Sequence, residues 1–341
     1  MYSGGTIRAV STFLTALSGS RPPHPPVWFM RQAGRSLPEY RQAREGIGML
    51  ESCLRPELAA EITLQPVRRH RVDAAIFFSD IVVPLRLAGV PVEILSNVGP
   101  VFERPYRDAA SIRELTAHRI EDAAPIAEAV RIVAGELGPV PLIGFAGAPF
   151  TLAAYLVEGR PSRDHLAARA LMHTDPQSWD ALLSWCAELS AQFLKIQVSA
   201  GARAVQLFDS WAGSLTRPDY AEYVLPYSRR VLAGIGVPSI HFGTNTHHLL
   251  GEFATVGDAL GVCYRTPLEE AIALSGGDIV VQGNIDPALL SAPWEKIESH
   301  VRGIVEAGRE ARAHIVNLGH GVPPHTDPDV LTRIVELVHS L

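Results

Sequence analysis

Eight short, almost wholly apolar runs recur along the 341 residues, and a stretch of helical character follows each of them. The runs are 27–29, 74–78, 142–145, 204–208, 239–242, 260–264, 279–282 and 314–318. A strand that is apolar at every position, rather than at alternate ones, is buried on both faces, as in a parallel sheet covered by helices. The helical stretches span 56–70, 122–136, 176–200, 217–233, 246–254, 267–275, 287–310 and 328–340. Three of them open on Asp-Pro: Asp175-Pro176, Asp286-Pro287 and Asp327-Pro328. Aspartate at the N-cap accepts a free backbone N–H, and proline at the first helical position has none to waste. Eight strand-helix units without a repeat period predict an α/β fold, a single closed (β/α)8 TIM barrel over residues 1–341. Two Rossmann halves are the alternative, but no GxGxxG follows the first run.

One stretch breaks the rhythm. Residues 81–121 separate the second run from the next helix, far more than an ordinary loop. Within them 90–95 and 100–104 read as extended, which predicts a long insertion after strand two near the barrel mouth, placed to wall an active site. At the N-terminus, Arg8 and the run from Ala9 to Leu17 faintly resemble a signal peptide. Ser11, Thr12 and Thr15 interrupt that run, so a short helix before Arg21-Pro22-Pro23 explains it better.

Composition narrows the function. Hydrophobic residues make up 47% and charged residues 19%, enough for a large core. The net charge of −6 gives no global basic field for nucleic acid or an anionic membrane surface. An acidic ligand would therefore need arginines clustered locally. Cys53, Cys186 and Cys263 are far apart, with no CxxC, so neither a disulfide framework nor a zinc ribbon is indicated, which suits the cytosol. Lys195 and Lys296 are the only lysines and both fall in predicted helices, away from the strand ends where a Schiff-base aldolase needs one.

A barrel enzyme carries its chemistry at the carboxyl ends of its strands. Here those ends read Met30-Arg31-Gln32-Ala33-Gly34-Arg35, Ser79-Asp80, Ala146-Gly147-Ala148-Pro149, Asp209-Ser210-Trp211, Gly243, Gly283-Asn284 and Gly319-His320-Gly321. Arg31, Arg35, Arg41 and Arg44 form either a solvated basic face or a carboxylate-binding cluster. Arg31 favours the second, because a guanidinium directly after a buried strand is costly without a partner. Asp80 reads either as a turn cap or as an anion poised to meet ligand N–H groups. His320 and Tyr155 each have a bland reading too, a hydrogen-bonded loop histidine and a core tyrosine. Asp209 and Ser210 read as a helix cap or as a mouth pair, and Ser210 lacks the GxSxG elbow of a serine hydrolase. The pair His247-His248 is expected at an exposed helix start.

At these segments the chain resembles the uroporphyrinogen decarboxylases from the first strand to the last helix. The matching motifs are Pro26-Val27-Trp28-Phe29-Met30-Arg31-Gln32-Ala33-Gly34-Arg35, Phe78-Ser79-Asp80-Ile81, Gly144-Phe145-Ala146-Gly147-Ala148-Pro149-Phe150-Thr151-Leu152 with Tyr155, Gln206-Leu207-Phe208-Asp209-Ser210, Gln282-Gly283-Asn284 and Asn317-Leu318-Gly319-His320-Gly321. The resemblance implies a (β/α)8 barrel, usually a cytosolic homodimer, that removes the four acetate carboxyls of uroporphyrinogen III to give coproporphyrinogen III and carbon dioxide in heme and porphyrin biosynthesis. It implies no metal or organic cofactor. By the same resemblance Arg31 and Arg35 bind substrate carboxylates and Arg31 assists proton delivery. Asp80 gathers the pyrrole N–H groups, and Tyr155, Ser210 and His320 contact side-chain carboxylates, with Asp80, Arg31 and Tyr155 as the catalytic group.

Two departures stand out. The family usually reads Gly-Val-Asp-Trp at the sixth strand, and this chain reads Gly261-Val262-Cys263-Tyr264. After the fifth, a glycine-rich turn is replaced by Gly243-Thr244-Asn245-Thr246, where asparagine tolerates left-handed geometry. The nearest rival is a zinc-dependent methyltransferase of the same superfamily, which needs a His-x-Cys at strand five and a cysteine near strand eight. The corresponding residues are His241-Phe242-Gly243 and Gly319-His320-Gly321, which offer no thiolate. A non-catalytic tetrapyrrole carrier is the rival from another class, and the joint presence of Arg31, Arg35, Asp80 and Tyr155 argues against it.

Overall fold

The computed structural model describes residues 11–341. Seven parallel strands form one sheet in the order β1 (Ala75–Ile76), β4 (Leu142–Gly147), β5 (Ala204–Asp209), β6 (Ser239–Gly243), β7 (Ala259–Gly261), β8 (Val280–Gln282) and β9 (Ala313–Ile315). Every described position of these strands except Phe208 is buried, because helices cover one face and core side chains the other. Between β1 and β4 lies a separate antiparallel hairpin, β2 (Val92–Leu95) and β3 (Gly99–Phe102), paired from Val92↔Phe102 to Leu95↔Gly99.

The first apolar run is not an eighth ladder strand. Residues 27–29 give only an isolated parallel bridge, Val27↔Val316. The reason is local. Pro25 and Pro26 bring no N–H, and most of the donors here go to side chains: Val27 N–H to Asp73 Oδ2 (2.8 Å), Phe29 N–H to Gln32 Oε1 (3.0 Å) and, just after the run, Met30 N–H to Asn317 Oδ1 (2.9 Å). Trp28 N–H alone reaches a backbone partner, Val316 O at 3.3 Å. The segment nonetheless bonds toward both sheet edges. Val316 N–H donates to Pro26 O at 2.8 Å on one side, and Asp73 N–H donates to Val27 O at 2.9 Å on the other. Across the interior a polar chain runs from Trp28 Nε1 to Gln282 (3.0 Å) and from Gln282 to Gln206 (2.9 Å).

The helices form close to where the sequence places them, with breaks where proline or a cap dictates. Pro56–His70 and Pro176–Ala200 match in full, and Asp175, Asp286 and Asp327 each accept a backbone N–H as N-caps. The expected helix over 217–233 is two, Arg217–Tyr223 and Leu225–Leu232, because Pro226 has no N–H to carry the ladder across the junction. Likewise 287–310 divides into a 3-10 turn, Pro287–Ser291, and a helix, Trp294–Ala307, on either side of Pro293. The expected helix over 246–254 is a 3-10 turn, His247–Leu249, running into a single α-turn, Leu250–Phe253. Its two histidines are exposed as expected. Pro149–Glu158, directly after β4, has no counterpart in the sequence reading. Its apolar residues continue the strand's without a change of period.

The 81–121 stretch folds as the short helix Val83–Leu87, the hairpin, and the helix Ala109–Leu115. Phe102 N–H and Tyr106 N–H donate to Gly159 O (2.9 Å) and Leu156 O (3.0 Å), which seats the excursion along Pro149–Glu158. At the start of the described chain Thr12–Leu17 is helical, capped by Ser11, whereas Arg8, Ala9 and Val10 lie outside the described residues. Among the described residues no helix is long and apolar enough to cross a membrane. All three cysteines are buried free thiols.

Candidate active site

The segments 26–35 and 317–322 are laced together at the carboxyl ends of the strands. Asn317 Oδ1 accepts both Met30 N–H (2.9 Å) and Leu318 N–H (2.8 Å), and Val322 N–H donates to Met30 O (2.9 Å). On the far side Gly319 N–H donates to Ile285 O (2.8 Å). These bonds place Arg31 and His320 beside each other. Arg31 takes a left-handed backbone angle, φ +61°, which turns its side chain out of the line of the preceding run. It is exposed, so the expectation of a guanidinium stranded behind a buried strand is corrected: the turn brings it to solvent and removes that cost.

Arg31 lies within electrostatic reach of Asp80, Tyr155 and His320; burial dominates at each, raising the pKa of Asp80 and Tyr155 and lowering that of His320, while Arg31 pulls each one downward. Four of the expected residues, from four separate segments, thus come to one place. Asp80 uses Oδ1 to accept Val82 N–H at 3.0 Å, the turn-cap reading, at the entry to Val83–Leu87. Its Oδ2 has no protein partner among the described residues, so the acceptor reading also stands. Although partly open to the mouth, Asp80 sits deep enough that burial raises its pKa, against the Val82 N–H and Arg31, which favour the carboxylate.

Tyr155 is half-buried on Pro149–Glu158 and stacks on Trp211, ring centroids 3.8 Å apart. Burial, with Asp80 nearby, holds its phenol well above the ordinary tyrosine range, so it stays a hydroxyl donor. His320 makes no ring hydrogen bond among the described residues, which sets aside the bland reading. Burial first, then Arg31 and Arg265, lower its pKa to about 4, so it is neutral near pH 7. Ser210 joins through its neighbours: its carbonyl accepts Thr244 Oγ1 at 2.6 Å, and Trp211 beside it carries Tyr155. Asn245 of that turn takes φ +57°, the left-handed geometry expected of it.

Arg35 is exposed, its carbonyl accepting Arg41 Nη1 at 2.8 Å, and no contact ties its guanidinium to Asp80. Arg44 is spent on structure, donating to Tyr40, Ser52 and Ile47. Among the described residues neither Arg31 nor Arg35 pairs with a carboxylate, so both are free to meet an anion.

Asp209 is not a helix cap. It is fully buried and accepts Thr151 Oγ1 at 2.8 Å, and burial raises its pKa to about 7. His241 lies 3.9 Å from its other oxygen, stacked on Phe253, and burial lowers its pKa to about 3. That separation would admit an ion pair, but burial pushes both groups toward their neutral forms, and we read a neutral contact. Sequence reasoning passed over Arg265, an exposed arginine after β7 that, like Arg31, lies within electrostatic reach of His320. Its position between a short strand and a helix start gave no signal.

Arginines, a carboxylate and a tyrosine gathered at the carboxyl ends of parallel strands define an α/β enzyme of the barrel type, built to hold an anionic ligand. The uroporphyrinogen decarboxylase (URO-D) family model matches residues 9–341. A uroporphyrinogen decarboxylase of Arthrobacter sp. (strain FB24) is 60% identical over 337 residues, covering 98% of each chain. Another, of Saccharopolyspora erythraea, is 55% identical over 346 residues, covering 97% of this chain and 95% of its own. The chain belongs to the uroporphyrinogen decarboxylase family. Among solved structures it is similar in fold to a methyltransferase from Methanosarcina mazei, TM-score 0.79 at 17% identity, covering 96% of this chain and 97% of that one. It is also similar in fold to a B12-independent methionine synthase from Shewanella sp. W3-18-1, TM-score 0.58 at 12% identity, covering 83% and 87%. These two likenesses are of fold alone.

Proposed function

We propose that the protein acts in tetrapyrrole biosynthesis, removing the four acetate carboxyls of uroporphyrinogen III to give coproporphyrinogen III. It is a carboxy-lyase. The observation that carries the reading is the convergence of Arg31, Asp80, Tyr155 and His320 at one mouth in a chain of this family.

The residues suit the chemistry. Protonation of a pyrrole carbon makes the ring a cation, and the electron pair of the breaking carbon–carboxylate bond flows into it as carbon dioxide leaves. The methylene left behind takes up a proton and the ring carbon returns its own, for a net uptake of one proton per carboxyl. The ring is its own electron sink, which is why no lysine is required. Asp80 Oδ2 accepts the pyrrole N–H groups and stabilises the cation. Arg31 and Arg35 bind side-chain carboxylates, by charge-assisted bonds of roughly 1.5–3 kcal/mol each. Arg31, beside Asp80, also assists proton delivery. Tyr155 donates its hydroxyl, and Ser210 and neutral His320 complete the carboxylate contacts.

The closed eight-stranded barrel belongs to the same reading, supported by the bonds of Pro26 and Val27 toward both edges of the sheet. So do a homodimer, a cytosolic location and independence of metal and organic cofactors. Purified, metal-stripped protein incubated with uroporphyrinogen tests the function directly. Successive mass losses of carbon dioxide are expected, and intact substrate would refute it.

A further inference from the structure

The loop after β7 stands against the mouth. Asn284 Nδ2 donates to Cys263 O (3.2 Å) and Thr266 O (2.6 Å), which pins the loop at both ends. Tyr264 N–H donates to Gly319 O at 3.3 Å, and a Cβ on Gly319 would meet that nitrogen at 2.1 Å. The loop therefore lies directly on the segment that carries His320. On the next residue along from His320, a Cβ on Gly321 would meet Arg31 Cδ at 2.4 Å.

Arg265 leaves this loop exposed. Its guanidinium stacks over the Tyr264 ring at 4.5 Å, and Nη1 sits 3.6 Å from Cys263 Sγ. Among the described residues no carboxylate pairs with it. The atom beneath it is a buried thiol sulfur, a weak acceptor with no formal charge as a thiol. Stacking on an aromatic ring orients a guanidinium without neutralising it. A carboxylate at position 263 would do the opposite and hold the fork in a charge-assisted pair.

We propose that Arg265 is a third carboxylate-binding arginine of this mouth, left free for substrate because position 263 carries a thiol. Arg31 and Arg265 both lie within electrostatic reach of His320, so a carboxylate held there would meet two guanidinium groups. The inference rests on the polycarboxylate reading of the site.

The test measures equilibrium binding of uroporphyrin, an aromatic tetrapyrrole with the same carboxylate side chains, beside turnover of uroporphyrinogen. Arg265→Gln is expected to raise Kd and KM by roughly tenfold, the size of one charge-assisted contact, and to flatten their dependence on ionic strength. Arg265→Lys should lie between. Cys263→Asp should raise Kd by a similar factor in the parent and have little further effect once Arg265 is glutamine, because its action is to capture that arginine. An Arg265→Gln protein with parental Kd and salt dependence overturns the proposal. So does a Cys263→Asp effect that is undiminished in the double variant. Arg265-dependent binding without turnover would count against the proposed reaction and leave Arg265 in place.

Discussion

The side chain of Arg31 crosses Gly321 so closely that a Cβ there would lie 2.4 Å from Arg31 Cδ. The glycine is thus a seat for the arginine. Gly321→Ala is expected to fold, because it adds one methyl group beside an exposed side chain. Displacing the guanidinium by the width of that methyl should lower kcat/KM by roughly tenfold to a hundredfold. Steady-state kinetics beside thermal unfolding checks this, and parental kcat/KM in Gly321→Ala would mean that Arg31 needs no such seat.

Asp80 divides its two oxygens between a turn and the mouth. Asp80→Asn can still accept Val82 N–H, so its stability loss should not exceed about 1 kcal/mol. It removes the charge at Oδ2, and kcat should fall roughly 10²–10³-fold, as for other preorganised electrostatic groups. Asp80→Glu keeps the charge one methylene too far out and should be intermediate. A folded Asp80→Asn protein with near-parental kcat would leave the cap as the residue's whole role.

Arg35 stands apart from the Asp80 cluster, exposed and unpaired among the described residues. Its removal should therefore touch binding before chemistry. Arg35→Ala is expected to raise KM and to make it less sensitive to salt, since screening acts on charges in solvent. The same KM and salt response in the variant would put Arg35 outside the site.

Buried titratable groups set opposing pH dependences of stability. Burial lowers His70, His314 and His320 to about 4 and His241 to about 3. An unfolded histidine takes its proton near about 6.5, so their contribution is whole above that pH and lost as pH falls toward 4. Asp209, raised to about 7 by burial, runs the other way. Its contribution is whole below the ordinary carboxylate value of 3.8 and is lost as pH rises through about 7. Asp209→Asn cannot ionise, so its Tm should exceed the parent's at about pH 8, and the gap should close as pH falls to 3.8, the ordinary carboxylate value. A Tm difference of equal size at both ends would show that ionisation of Asp209 does not govern stability there.

The three cysteines are buried away from any histidine-cysteine set, and the one grouping of metal-ligand type among the described residues is His24, Asp73 and His339. Asp73 precedes β1, at the end of the sheet opposite the mouth, and its carboxylate already bonds Thr12, Val27 and His339. Exhaustive chelation should therefore leave turnover as it was. Activity that disappears on chelation and returns with zinc would overturn the metal-independent reading.

What the sequence determined by itself was whatever depends on near neighbours in the chain. Fully apolar runs of a few residues declare a doubly covered parallel sheet, and Asp-Pro pairs at 175, 286 and 327 declare helix starts, because both are settled within a turn or a strand. The motif residues Arg31, Asp80, Tyr155 and His320 could be named for the same reason, since each motif is a local string. Tertiary structure decided what those strings do together. Whether 27–29 becomes a ladder strand depends on Asp73 and Asn317, one 46 and the other 287 residues from the donors they accept. Arg31 escapes burial only through a left-handed turn beside Gly321, and Arg265 enters the site only because Tyr264 rests on Gly319. Hydrogen bonds and electrostatic contacts act over a few ångströms of space, and no local pattern in the chain records which distant segments will share it.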